Sequence, residues 1–151
     1  MTVFLSAPDG VLARVGDHLG YSDYLEITQE RVDEFARAVG DFQWIHVDPQ
    51  RAKEGPYGAP IAHGYLVLAI GTALTPVFKV ENMKMGVNYG LNKVRFPSPV
   101  PVGSRLRVGV TLLKADVVKP GVLQIIHEGR YECEGASKPA CVAEHVGHFY
   151  F

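Results

Sequence analysis

The sequence predicts an α+β fold in a single domain, and three observations predict it. Helical periodicity is confined to the first half, between residues 28 and 74. Alternating apolar and polar residues fill most of the chain from Met83 to Phe151. Proline and glycine clusters punctuate the chain, at Gly55 to Pro60 after a short helix and at Pro97 to Gly103 before the long strands. Helices first and strands afterwards places helices on one face of an antiparallel sheet. At 151 residues the chain is long enough for one self-sufficient core, so one domain over 1–151 is expected.

The elements follow in order. The first 20 residues read as a lead-in with a short helix at Gly10 to Val15. Tyr21 to Ile27 is a weak strand. Thr28 is placed to cap a helix, and Glu30 lies in its first turn, where negative charge suits the helix dipole. Val32, Phe35, Ala36 and Val39 form one apolar stripe, and Gly40 follows where a left-handed C-terminal cap belongs. Asp41 to His46 is irregular. Asp48-Pro49 starts a second, short helix that Gly55-Pro56 and Gly58 to Pro60 stop. His63 to Leu74 is apolar on every side of a helix, which predicts a helix buried all round with a sheet wrapped about it. The rest is strand. Met83, Met85, Val87 and Tyr89 alternate with polar or small residues, as do Leu106, Val108, Val110 and Leu112. Leu123, Ile125, His127, Tyr131 and Cys133 share one face of a further run, and Ala140 to Phe151 makes the last strand. This is the pattern of half-buried antiparallel sheet.

Composition excludes several classes of function. A net charge of -1 without a basic stripe argues against nucleic-acid binding. The longest stretch free of Asp, Glu, Lys and Arg, Gly55 to Phe78, is broken by prolines, and its apolar middle is too short to span a bilayer. The start has no basic region of the signal-peptide kind. Cys133 and Cys141 make no disulfide framework or zinc pattern and read as two small buried hydrophobes, with the cytoplasm as the expected compartment. No phosphate-binding glycine loop occurs and no cofactor is expected. His145 and His148, three apart in a strand, lie on opposite faces and so do not share a metal. Lys93 and Arg95 read as solvated surface charge.

One constellation carries chemistry. In Gly40-Asp41-Phe42-Gln43-Trp44-Ile45-His46, a carboxylate and an imidazole stand five apart in an irregular segment among apolar residues. Partial desolvation moves such groups toward neutral pKa values, which suits general acid–base work. By composition alone, an Asp after a helix-ending Gly is also an ordinary turn residue.

The run Gly40-Asp41-x-x-x-Ile45-His46, then Ala52, with Phe35 upstream, resembles the hydratase 2 signature of (R)-specific enoyl-CoA hydratases and MaoC-like dehydratases. Ile61-Ala62-His63-Gly64 and Val94-Arg95-Phe96-x-x-Pro99-Val100-x-x-Gly103 resemble two further features of that family, and the chain is most similar to its NodN-like subgroup. Gln43-Trp44 replaces the family's usual Asn-Pro, and Val39 replaces a small hydroxyl or sulfur residue.

The resemblance implies a hot-dog fold: a long buried central helix wrapped by a curved antiparallel sheet, pairing as a homodimer. It implies hydration of a trans-2-enoyl thioester of CoA or acyl carrier protein, in fatty acid metabolism. Asp41 acts as base and His46 polarises the water. Gly64, at the start of the central helix, admits the thioester carbonyl to free backbone N–H groups. Tyr65 lines the substrate pocket or packs in the core. His63 is read as a structural histidine bonded to nearby backbone. The alternatives are a hot-dog thioesterase and a non-catalytic acyl-binding relative.

Overall fold

Thr28 caps the longest helix: its hydroxyl accepts from the Arg31 amide at 3.2 Å, and Gly40 closes the other end with φ at 78°. The computed structural model describes residues 2–74 and 77–151. The elements run β1 (Val3–Leu5), α1 (Asp9–Leu12), β2 (His18–Tyr21), β3 (Leu25–Glu26), α2 (Gln29–Val39), α3 (Trp44–Val47), α4 (Pro49–Lys53), α5 (Gly64–Ala69), α6 (Gly71–Leu74), β4 (Phe78–Val80), β5 (Met85–Arg95), β6 (Arg105–Lys119), β7 (Val122–Cys133) and β8 (Cys141–Tyr150). The expected α+β class is present and the four long strands follow the helices, although the short β1, β2 and β3 precede α2.

The main sheet runs β2-β6-β7-β8-β5, with β3 also on β6, and all its pairings are antiparallel. Its inner face meets α5 and α6 through Leu66, Val67, Ile70 and Leu74, which are buried with Leu106, Val108, Val110, Leu123 and Ile125.

Three expectations need correction. The N-terminal lead-in holds a strand besides its short helix, which forms at Asp9–Leu12: β1 pairs in parallel with β4, Val3 opposite Phe78. These two runs, 75 residues apart in sequence, carry too little local pattern to reveal a partner. The central helix is neither continuous nor buried all round. It is divided at Ile70, and Tyr65, Ala69, Thr72 and Ala73 are exposed. Apolar composition says what a face is able to bury, whereas Tyr65, Ala69 and Thr72 line an open groove. Finally, the alternation around Met83 to Tyr89 does not mark a half-buried strand. β5 is the edge of the sheet and stands exposed along nearly its whole length, its Met85, Val87, Tyr89 and Leu91 included.

Candidate active site

The irregular segment after α2 is fixed by its neighbours. The Asp41 carboxylate accepts from the Gln43 amide at 3.3 Å. The chain then makes one turn, α3, whose His46 carbonyl accepts from the Gln29 side chain of α2 at 2.8 Å. Trp44 packs between Arg51, whose guanidinium sits 4.5 Å over its ring, and Gly55, where a Cβ would come within 2.9 Å of the indole. Asp48 caps α4 by accepting from the Arg51 amide at 3.1 Å.

A second strand of chain is stitched to this turn. The Ile61 amide donates to the Ile45 carbonyl at 3.0 Å, and the Ala62 amide donates to Val100 at 2.8 Å. His63 and Gly64 are thereby delivered beside His46, and the Phe96 to Val100 segment closes over them. His46, Gly64, Tyr57, Phe96, Ser98 and Val100 line a common cavity of about 430 Å³.

The hydrogen bonds set both tautomers. His46 is buried, and its Nδ1 lies 2.6 Å from the Ile61 carbonyl. A carbonyl only accepts, so Nδ1 carries the proton and Nε2 presents a lone pair. Burial pushes the imidazole below its ordinary pKa. The nearby His63 acts the same way, against the Ile61 bond and the Asp41 charge. A neutral His46 with a basic Nε2 results. His63, also buried, donates from Nε2 to the Asp41 carbonyl at 3.0 Å and leaves Nδ1 without a partner.

An oxygen of Asp41, a ring nitrogen of His46 and one of His63 all lie within 4.8 Å of one another. These are metal-ligand types. However, the two rings are stacked only 24° from parallel, so their in-plane lone pairs run side by side rather than converging on one ion. The gap suits a water with hydrogen-bond acceptors on two sides.

The structure thus brings together Asp41, His46, His63 and Gly64. Contrary to the apolar enclosure expected around the pair, Asp41 and Phe42 are exposed. Only His46 is desolvated, because the short α3 turn directs it inward and leaves Asp41 at the rim. Tyr65 is 74% exposed at the mouth of a second, larger cavity and is not a core residue. Phe96, with a ring 3.3 Å from where a Gly64 Cβ would be, is a site residue to which sequence reasoning gave no role. The motif containing it was visible, but nothing local told that it folds back over the helix start. His145 and His148 do lie on opposite faces: His145 meets Tyr131 and His127, while His148 accompanies Gln124 and Tyr89.

The chain is 48% identical over 147 residues to 3-hydroxyacyl-thioester dehydratase Z of Mycobacterium tuberculosis, covering 97% of each. It is 39% identical over 139 residues to nodulation protein N of Rhizobium leguminosarum, covering 90% of this chain and 86% of the relative. The solved R-hydratase PhaJ1 of Pseudomonas aeruginosa superposes with a TM-score of 0.69 at 25% identity, over 88% of this chain and 79% of that one. The MaoC like domain pattern matches residues 11–127. With the hot-dog architecture, the motif residues gathered at one helix start and this match over most of its length, the chain belongs to the MaoC-like dehydratase family.

Proposed function

We infer that this protein is a hydro-lyase that adds water to a trans-2-enoyl thioester, giving the (R)-3-hydroxyacyl thioester, and catalyses the reverse dehydration. The observation that carries the reading is the pairing of a carboxylate, Asp41, with a neutral imidazole, His46, which lines a cavity that also holds the start of the central helix. The names of the relatives support the same chemistry.

In this mechanism a water donates one hydrogen to Asp41 and the other to Nε2 of His46. Its lone pair is left pointing at C3 of the substrate. Asp41 removes a proton as the hydroxyl bonds to C3. Charge moves onto the thioester oxygen, which meets the unpaired backbone N–H groups at Gly64. Asp41 then returns the proton to C2. Water is consumed whole, and no cofactor takes part. Tyr65, beside Gly64, borders the path of the acyl chain.

The working form is a homodimer. Edge strand β5 presents unpaired backbone and an apolar row from Met85 to Leu91, and pairing with the same strand of a second copy covers both. Free Cys133 and Cys141 suit a reducing compartment, and the cytoplasm is the location proposed. Among the described residues no helix is long and apolar enough to cross a membrane.

The test is spectrophotometric. Wild-type protein with crotonyl-CoA should remove absorbance at the conjugated thioester band without releasing thiol. Stoichiometric free CoA would instead make it a thioesterase.

A further inference from the structure

Gln29 opens α2, and Asp41 follows directly from Gly40 at the other end of the same helix. The Gln29 amide nitrogen donates one hydrogen to the Asp33 carboxylate at 2.8 Å and the other to the His46 carbonyl, also at 2.8 Å. Both partners only accept, so the amide has one orientation and both its hydrogens are spent. Its oxygen is left buried with no hydrogen-bond partner among the described residues. An acceptor held in that state costs stability, and a glutamine that served the helix alone would turn it to water. The side chain is therefore set by what its nitrogen holds.

What it holds is the turn that carries the imidazole. α3 is a single turn, Trp44–Val47, and one turn of helix has little stability of its own. It is fastened from two sides. On one, Nδ1 of His46 donates to the Ile61 carbonyl at 2.6 Å and the Ile61 amide donates to Ile45 at 3.0 Å, which tie the turn to the chain entering α5. On the other, Gln29 ties it to α2, the element whose end delivers Asp41. The bond thus refers the imidazole and the carboxylate to one rigid helix.

We propose that Gln29 is a positioning residue for the hydration reaction: through the His46 carbonyl it sets the imidazole against the Asp41 carboxylate at the separation that holds the attacking water, while Asp33 keeps its amide turned to donate. The inference rests on the hydratase reading above. Gln29 lines neither the cavity at His46 nor the larger one at Tyr65, so its effect falls on turnover and not on substrate binding.

Two substitutions separate positioning from helix stability, because the two roles rank them in opposite order. At the first residue of α2 a negative charge suits the helix dipole and a positive one does not. Gln29→Glu keeps the shape and favours the helix, yet sets an acceptor against two acceptors. Gln29→Lys disfavours the helix end, yet keeps a donor for Asp33 and the His46 carbonyl. The measurement is kcat and KM for crotonyl-CoA at pH 7.5, with folding checked by circular dichroism. Gln29→Glu should lower kcat by about 10²-fold, the cost of a misplacement near 1 Å, with KM close to that of wild type. Gln29→Lys should retain most of kcat. Gln29→Met, of similar length without donor or charge, takes the place of the glutamate variant if that variant fails to fold. A folded Gln29→Glu enzyme with near-normal kcat overturns the proposal, as does a lysine variant no more active than the glutamate one, or a loss that falls on KM alone. Wild type on the same substrate is the control. If it hydrates crotonyl-CoA, any of these adverse results condemns this inference alone; if it does not, the hydratase reading falls and takes this inference with it.

Discussion

The ring of His63 lies flat against that of His46, with centroids 3.8 Å apart, while its Nε2–H holds the main-chain carbonyl of Asp41 at 3.0 Å. One side chain thus touches both members of the proposed catalytic pair. The bond to backbone is the one expected of a histidine placed before the helix, and it joins His63 to the site. Replacing it frees the Asp41 backbone and the face of His46 together. His63→Ala should lower kcat by about 10²-fold, the cost of a misplacement near 1 Å. His63 also holds the pKa of His46 down. Its loss should move the acid limb of the kcat/KM profile to higher pH. A folded variant with an unmoved acid limb and normal kcat would remove His63 from this role.

Gly64→Val tests the oxyanion end. A Cβ here meets the Phe96 ring at 3.3 Å, and a β-branched chain also blocks the approach of a thioester carbonyl to the helix start. We expect kcat/KM for crotonyl-CoA to fall by about 10²–10³-fold, the effect of one lost oxyanion donor. The variant must first be shown by circular dichroism to be folded. A folded variant that keeps most of its kcat/KM would place the thioester elsewhere.

Stability should depend on pH in a defined direction. Folding depresses His127 from 6.5 to about 4, and His46 and His145 shift the same way through burial. Between those pH values the unfolded chain binds more protons, so stability is complete above pH 6.5 and is lost as pH falls toward 4. For His127 alone the loss corresponds to about 3 kcal/mol. Urea midpoints at pH 7.5 and 4.5 should differ less in His127→Leu than in wild type. Equal differences would mean that His127 is not held neutral.

The edge strand predicts assembly. Light scattering at micromolar concentration should give the mass of a dimer, and Val87→Lys, which puts a charge in the exposed row on β5, should shift it toward monomer. A monomeric wild type would refute the pairing.

Legibility from sequence followed the range of the forces involved. Thr28, Gly40 and Asp48 act on backbone within a few residues, and all three cap where expected. The long strands announced themselves by period-two alternation. The spacing of Asp41 and His46 drew attention to them, but their geometry depends on Gln29, Ile61 and His63, contributed by distant segments. What failed was long-range: the β1–β4 pairing, the edge position of β5, and the meeting of His127 with His145 across β7 and β8. In each case the local sequence states which residues favour burial or extension, whereas the partner is selected by the whole chain.

The central claim is that Asp41 supplies the base for hydration. The most direct measurement is kcat for Asp41→Asn against wild type on crotonyl-CoA, followed at the conjugated thioester band, with folding and dimer mass matched. The substitution keeps the size of an exposed side chain and removes its basicity. The account predicts a fall of at least about 10²-fold, as for a lost general base. A folded, dimeric Asp41→Asn enzyme that turns over at a near-normal rate would contradict it.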